Sequence, residues 1–314
     1  METIVAVDIG GTQIRVGIYG CDNTKPLQIR KIPTKAAKTD PYTRLVEAIA
    51  SLWPEAGHVL CIAAAIPGPV DPETGIIAST PNIEGWKDFP LAEKLRDHFK
   101  VPVYLGNDAN LAALGEWRFG AAKGHKDVLY LTVSTGIGGG VITNNHLLEG
   151  AHGMATELGH VTVLPHGPMC GCGHRGHLEA VAAGPAIVRY VKEQLTDGKK
   201  SILESSPNLT AREISEAAHA GDDLAVTALA RSGKYIGHAL ADYLAIFNPS
   251  IVIFGGGVSF SGDLLFNPMR EALKKSVMNH AYLEGLEITN AKLGDDAGLL
   301  GSLALALSKI KHDN

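Results

Sequence analysis

The first third of the chain is a succession of short apolar runs set between glycine, proline and charged turns. TIVAVDI (3–9), QIRVGIY (13–19) and LQIRKIP (27–33) are predicted strands, with Gly10–Gly11 joining the first two and a polar turn at Asp22–Lys25 before the third. Asp40–Pro41 opens a predicted helix through Trp53, because Leu45, Val46, Ile49 and Leu52 recur at helical spacing. HVLCIAAAI (58–66) is apolar throughout and ends at Pro-Gly, which suits a strand buried on both faces. A helix from Pro90 to Phe99, a strand VPVYLGN (101–107) and a helix DANLAALGEWRF (108–119) follow.

A second layout begins near residue 110. DVLYLTV (127–133) and GGGVIT (138–143) read as a hairpin, and helices start at Leu178 and Gly184. Residues 196–209 read as a weak linker. Asp222–Phe247 is a long helix with Ile236, Leu240, Leu244 and Phe247 near one face; SIVIFGGGV (250–258) is strand then turn, and DDAGLLGSLALAL (295–307) is a closing helix. This mixture predicts an α/β architecture with a twisted central sheet. The strand–glycine–hairpin pattern at Asp8 is echoed, without the acid, at Ser134, which predicts two related halves with a cleft between them. We expect a smaller N-terminal α/β domain over 1–109, a larger one over 110–299, and a C-terminal helix (300–314) packing back on the first.

Composition narrows the partners. The chain has 314 residues, 45% apolar and 19% charged, with net charge −5 and 13 histidines. That is a soluble globular composition, and it gives no ground for a nucleic-acid or membrane partner. METIVAVDIGG lacks the basic segment and apolar run of a signal peptide, and runs such as Val59–Ile66 are too short to span a bilayer. A cytoplasmic protein is expected, a setting that disfavours disulfides.

DIGGT (8–12), STGIGGG (134–140) and FGGGV (254–258) each follow an apolar strand. Glycine lets backbone amides approach a phosphate without an intervening side chain, so Gly10, Gly11, Gly136, Gly138, Gly256 and Gly257 are candidate phosphate contacts. Thr12 and Thr135 add hydroxyl donors. Asp8 is placed to hold Mg2+ through its waters. Tight turns need glycine in any case, but three after strands, one with an acid, point to nucleotide binding. Neither GxGxxG nor a P-loop occurs in its proper context, which disfavours the Rossmann and Walker readings. In GNDAN (106–110), Asp108 stands where a strand becomes a helix, fit to take a proton from an attacking hydroxyl. An N-cap role accounts for an aspartate there equally well.

MCGCGHRGHLE (169–179) gathers two of the four cysteines with two histidines. A disulfide, a reactive thiol pair and a metal site compete for this segment. Cys170 and Cys172 are too close in sequence for a comfortable bridge, and CxC lacks the spacing of a CxxC redox motif. Cys61, inside an apolar strand, is most simply a core residue.

DIGGTQIRVG, AIPGPVDPETG, PNIEGW, GNDANLAALGE, STGIGGG, TELGHVTV, CGCGHRGHLEA and FGGGV occur in this order over nearly the whole chain. Together they resemble the ROK family (repressors, open reading frames and kinases), in particular its bacterial glucokinase-type sugar kinases. The resemblance implies an actin-like (ribonuclease H-like) two-domain ATPase fold, with ATP and Mg2+ and a sugar between the domains. It makes Asp108 similar to the family's catalytic base, gives the glycine turns to ATP, and gives Asn82, Asn107, Asp108, Glu157, His160 and Glu179 to sugar hydroxyls. It also implies structural Zn2+ on His160, Cys170 and Cys172, with His177 standing where the family has a third cysteine. Zinc accepts imidazole in tetrahedral Cys2His2 sites, and His174 is a competing ligand. Gln13 replaces the lysine that many members carry after DIGGT, with little expected effect. The chain reaches its first strand by Thr3, which leaves no room for the DNA-binding domain of the repressor members. A glucose kinase, dimeric or tetrameric, is therefore expected; kinases for N-acetylhexosamines or fructose and a non-catalytic sugar sensor are the alternatives.

Overall fold

The structure, a computed structural model, describes residues 1–35, 39–80, 83–204, 206 and 208–310. In chain order the elements are β1 (Glu2–Ile9), β2 (Gln13–Gly20), β3 (Gln28–Pro33), α1 (Pro41–Ala50), β4 (His58–Ile66), α2 (Leu91–Phe99), β5 (Val103–Asn107) and α3 (Asp108–Phe119). There follow β6 (Val128–Val133), β7 (Ile137–Thr143), β8 (His146–Leu147), α4 (Leu178–Ala182), α5 (Gly184–Thr196), α6 (Ala211–His219) and α7 (Asp223–Phe247). β9 (Ile251–Gly255), α8 (Asp263–Ser276), β10 (Glu287–Asn290) and α9 (Ala297–Ile310) complete the chain.

Two compact units result. The first comprises Met1–His125, His146–Thr156 and the segment from Ala291 onward; the second comprises Lys126–Asn145 and Glu157–Asn290. Helix α3 thus belongs wholly to the first unit, which extends past residue 109.

The two units share one topology. In the first sheet, β3–β2–β1–β4–β5, β1 pairs antiparallel with β2 and parallel with β4, and β4 pairs parallel with β5. In the second, β6 pairs antiparallel with β7 and parallel with β9, which pairs parallel with β10. The strands β2–β1–β4–β5 therefore correspond one for one to β7–β6–β9–β10, so the echo between Asp8 and Ser134 extends to whole sheets.

Packing explains the apolar runs. Val5, Val7 and Ile9 of β1 join Ile62, Ala64 and Ile66 of β4 in a core closed by Leu45 and Ile49 of α1 and Leu91 and Leu95 of α2. Successive strand residues point to opposite faces, so Ile4, Ala6 and Asp8 face the other way. There α9 covers the sheet, and its Ser302 hydroxyl donates to the Val7 carbonyl at 2.7 Å. Helix α3 is buried from Ala109 through Glu116, and a Cβ on Gly115 would lie 3.0 Å from the Gly301 nitrogen of α9. The Glu116 carboxylate is fully buried and accepts from Ala121 N and Leu293 N, both at 2.7 Å. It is thus a structural clasp within the first unit.

Several predicted boundaries shift. Helix α1 ends at Ala50, where the Ser51 N–H returns to the Glu47 carbonyl at 3.0 Å, and Pro90 precedes α2 as its cap. The triplet Gly138–Gly140 lies within β7 rather than in the turn, which is confined to Ser134–Gly136. Helices α6 and α8 and strand β10 lie in stretches where the pattern predicted no element. None of the helices among the described residues is long and apolar enough to cross a membrane.

Candidate functional site

In the first unit, the β1–β2 ladder runs down to Ile9–Ile14, so residues 10–13 must reverse tightly. Gly10 N–H donates to Gln13 O at 2.8 Å; Thr34 closes the turn through its N–H to Thr12 O (2.8 Å) and its hydroxyl to Gly10 O (2.6 Å). Asp8 stands beside this turn with its side chain a quarter exposed. Burial pushes its pKa up, and the Arg15 guanidinium, 3.9 Å from Oδ2, draws it partly back. The start of α9 presses on the carboxylate, since any Cβ on Gly298 would overlap it.

Arg15 was not singled out by sequence reasoning, where it is one polar position in a strand. In the fold it is 8% exposed, donates to the Asp295 carbonyl, and meets Asp296 Oδ1 at 2.5 Å. Its Nε is buried without a partner. These contacts join residues some 280 positions apart, beyond the reach of any local pattern.

The junction of β5 and α3 resolves the double reading of Asp108. Asn107, not Asp108, is the cap of α3: its Oδ1 accepts from Ala109 N (3.0 Å) and Asn110 N (3.2 Å), and its Nδ2 donates to Gly68 O (3.2 Å). Asp108 is the first helical residue and exposed, with Oδ1 accepting from Ala109 N at 2.8 Å. A carboxylate in the first helical turn is favoured by the helix dipole. One Asn107 amide hydrogen also remains beyond its bond to Gly68. Asn82 lies outside the described residues.

In the second unit, Ser134 N–H donates to Gly136 O at 2.8 Å across the β6–β7 turn. Ser134 and Thr135 are exposed. Gly256, at φ 83°, brings the turn after β9 onto Val133, where any Cβ would overlap the Val133 backbone. Gly184 N–H donates to Ser134 O at 2.8 Å, so the start of α5 abuts the first turn. These elements open onto a cavity of about 1420 Å³ walled by α5, α6 and the segment after Gly256. Ser134, Thr135 and Gly257 line one side; Val188, Leu209, Val258 and Phe260 supply apolar wall, and the cations Arg189, Lys192 and Arg212 stand beside Glu193 and Glu216, with Arg212 Nε 2.9 Å from Glu216 Oε1. The volume exceeds what most small ligands need, about 300–1,000 Å³. Phosphate-approaching turns beside an apolar chamber with cations suit a nucleotide. The α5 and α6 side chains were missed in the sequence, where the signal was only a basic amphipathic helix and an unstructured-looking stretch.

Glu179, near the start of α4, is bound into this turn. Its Oε2 accepts from Ile137 N at 3.0 Å, and a Cβ on Gly136 would lie 2.5 Å from that oxygen. Its Oε1 lies 3.5 Å from Cys170 Sγ. Glu157 and His160 flank a 3-10 turn seated on β7. Gly159 permits that seating, because a Cβ would overlap the Ile137 carbonyl, and the buried Tyr243 hydroxyl donates to Leu158 O. His160 directs Nε2 to Glu157 Oε2 (3.9 Å) and Nδ1 to Cys170 Sγ (3.6 Å).

The fold gathers His160, Cys170, Cys172 and His177, whose ligand atoms all lie within 4.8 Å of one another. Cys172 Sγ is 3.2 Å from His177 Nδ1. Ligand atoms around tetrahedral zinc sit roughly 3.3–3.8 Å apart, given Zn–S of about 2.3 Å and Zn–N of about 2.0–2.1 Å. The donor set fits the ion with slight contraction. His174 stays outside the set of four: its Nδ1 is 3.9 Å from Cys172 Sγ, and its ring stacks on His177 at 5.8 Å. Burial pushes the Cys170 thiol up to about 11. At Cys172 burial also acts upward, but hydrogen bonds from the His174 backbone and ring and from Cys170 prevail and lower it. Burial lowers His177, with His160 and His174 adding to the effect, which keeps its imidazole neutral and able to ligate.

Paired sheets of one topology, each with a glycine turn at its sheet end, define an α/β nucleotide-binding protein. The ROK family model matches residues 4–309, and the chain belongs to that family. It is 38% identical over 312 residues to a glucokinase of Thermotoga maritima, with 98% of each chain covered. Its fold is similar to a ROK family glucokinase from Streptomyces griseus in complex with glucose and AMPPNP (TM-score 0.81, 35% identity, 98% of this chain and 99% of that one). It is also similar to a ROK hexokinase from Thermus thermophilus (TM-score 0.83, 37% identity, 99% and 100% covered). The fold is thus the actin-like ATPase fold of ROK sugar kinases.

Proposed function

We propose that the chain transfers the γ-phosphoryl group of ATP to the 6-hydroxyl of a hexose, with glucose the preferred acceptor. The observation that carries this reading is its likeness over the full length to glucokinases, one of them solved with glucose and AMPPNP. The local geometry supports it: Asn107 performs the capping of α3, and Asp108 is exposed beside it.

In this mechanism Asp108 accepts the proton of the 6-hydroxyl as the oxygen attacks phosphorus. Backbone N–H groups of the turns at Gly11–Thr12, Thr135–Gly136 and Gly256–Gly257 meet the phosphates and stabilise charge as it spreads over the transferring group. Asp8 holds Mg2+, which neutralises phosphate charge when bound; the ion also favours the ionised carboxylate that burial disfavours. Asn82, Asn107, Glu157, His160 and Glu179 orient the sugar through its other hydroxyls. His160, Cys170, Cys172 and His177 would hold zinc, which would order the loop from Glu157 to Glu179 and fix the tautomer of His160.

Glucose is favoured over N-acetylated sugars because a carboxylate such as Glu157 forms charged hydrogen bonds worth about 1.5–3 kcal/mol each. The test is steady-state kinetics over glucose, fructose, N-acetylglucosamine and N-acetylmannosamine, with ATP and polyphosphate as donors. Glucose with ATP is expected to lead the acetylated sugars by about tenfold or more in kcat/KM. Asp108→Asn is expected to lower kcat about 10²-fold or more with sugar binding retained. Near-normal turnover in that variant removes Asp108 from the role, and an acetylated sugar matching glucose overturns the assignment of substrate.

A further inference from the structure

Beside the nucleotide cavity, with which it shares Arg189 and Glu193 of α5, lies a second cavity of about 360 Å³ lined otherwise by residues with no part in the proposed reaction. Its lining includes Arg175, Arg189, Arg231 and His166, and one carboxylate, Glu193. Three guanidinium groups facing a single carboxylate leave a positive surplus in a concave site.

Each arginine is held in place with donors to spare. Arg231 lies over the rings of Tyr190 (4.9 Å) and Tyr235 (5.0 Å) and donates to Val181 O at 3.2 Å. Arg189 donates to Ala180 O and lies 3.8 Å from Glu193 Oε1. Arg175 donates to Gly167 O at 3.3 Å. A guanidinium carries five N–H donors in a planar fork, so each keeps several for a ligand. Aromatic contacts and carbonyl anchors limit the rotamer freedom lost on binding, the usual reason a pre-set arginine cluster binds an anion well. His166, also in the lining, holds φ at 63°, a left-handed conformation uncommon for a non-glycine residue.

We propose that this cavity is a binding site for a phosphoryl dianion, carried by a small phosphate monoester or as free phosphate. Planar forks match the oxygens of a phosphoryl group in bidentate fashion, which a monovalent halide does not exploit. The cavity stands at the small end of ligand pockets and suits a compact metabolite rather than a nucleotide. Arg189 and Arg231 also secure the carbonyl end of α4, the helix that carries Glu179.

The test is isothermal titration calorimetry on full-length protein whose nucleotide cavity is already saturated with AMPPNP, at matched ionic strength. Inorganic phosphate and glycerol 3-phosphate, an ester that is not a product of the proposed reaction, are titrated separately, with sodium chloride as the control. Saturable binding of one phosphoryl ligand per chain is expected, weakened about tenfold, or about 1.4 kcal/mol, in Arg175→Gln and unaffected by Lys199→Gln, which alters an exposed lysine outside the lining of either cavity. Arg175 is exposed, so this variant tests the site even if Arg231→Gln disturbs α4. Tighter binding of the ester identifies a phosphorylated metabolite as the ligand, and tighter binding of phosphate identifies the free ion. No saturable binding, or equal binding by wild type and Arg175→Gln, overturns the proposal.

Discussion

Replacing Glu179 with glutamine removes one charge and almost no volume, yet it strikes the turn assigned to nucleotide. Oε2 accepts the Ile137 N–H at 3.0 Å, and Gly136 lies against the same oxygen. A hydrogen bond to a charged acceptor contributes about 1.5–3 kcal/mol, against about 0.5–1.5 for a neutral one. The difference, about 1–2 kcal/mol, corresponds to a factor of roughly 5–30 in an equilibrium constant. Glutamine must also turn its carbonyl toward Ile137, which leaves its NH2 facing Cys170 instead of a carboxylate oxygen. The turn is therefore less well held before nucleotide arrives, and binding must supply the ordering. Calorimetric titration of AMPPNP into sugar-free protein isolates this effect from any contact between Glu179 and sugar. Weaker nucleotide binding by roughly 5–30-fold is expected in Glu179→Gln, and at least as large a loss in Glu179→Ala. Unchanged nucleotide affinity in both variants refutes the link.

Protein purified without added metal is expected to carry close to one zinc per chain; chelation or Cys172→Ala then lowers the melting temperature, and metal-free protein with unchanged melting refutes the site. Asp8→Asn is expected to raise thermal stability at neutral pH while abolishing phosphorylation. The sign follows from its raised pKa: ionised Asp8 costs the fold stability as pH rises from its unfolded value of 3.8 through its folded value, so the variant's advantage fades on acidification, and a pH-independent difference contradicts this. Gly301→Ala drives a Cβ into the Leu111 backbone, with an expected loss of about 1–3 kcal/mol in denaturant unfolding; unaltered stability contradicts the tight α3–α9 crossing.

The central strands were legible because their apolar runs are short, continuous and stopped by glycine or proline, as HVLCIAAAI shows, whereas the short β8 and β10 gave no such run. The paired-sheet topology was legible only as an echo of turns, since strand order depends on contacts between distant segments. Helix α6 carried a readable signal, Thr210 and Glu213 in a reciprocal capping box, yet it abuts a polar stretch without periodicity. Helix α8 contains Pro268, which argues locally against the helix that packing imposes. Asn107 and Asp108 are both good caps, and only backbone geometry decides between them. The gathering of cysteine and histidine at 169–179 was legible in the sequence, but the choice of a metal site with His160 as a member came from the resemblance to the ROK family. Arg15 and Glu116 were not, because what they hold comes from the far end of the chain.

The chain leaves the first unit after His125, revisits it over His146–Thr156, and returns to complete it only from Ala291. On a ribosome, β1 is made first and the helix that covers one of its faces last. Until α9 emerges, Ile4 and Ala6 have no lid, and the Val7 carbonyl lacks the Ser302 hydroxyl. The second unit's β6, β7, β9 and β10 are all synthesised by Asn290, so that unit is complete while the first, its five strands made by Asn107, still waits for α9. A nascent chain stalled before Ala297 would present a finished half and an unfinished one, and the open face of β1 and β4 is where chaperones or aggregation would act on it.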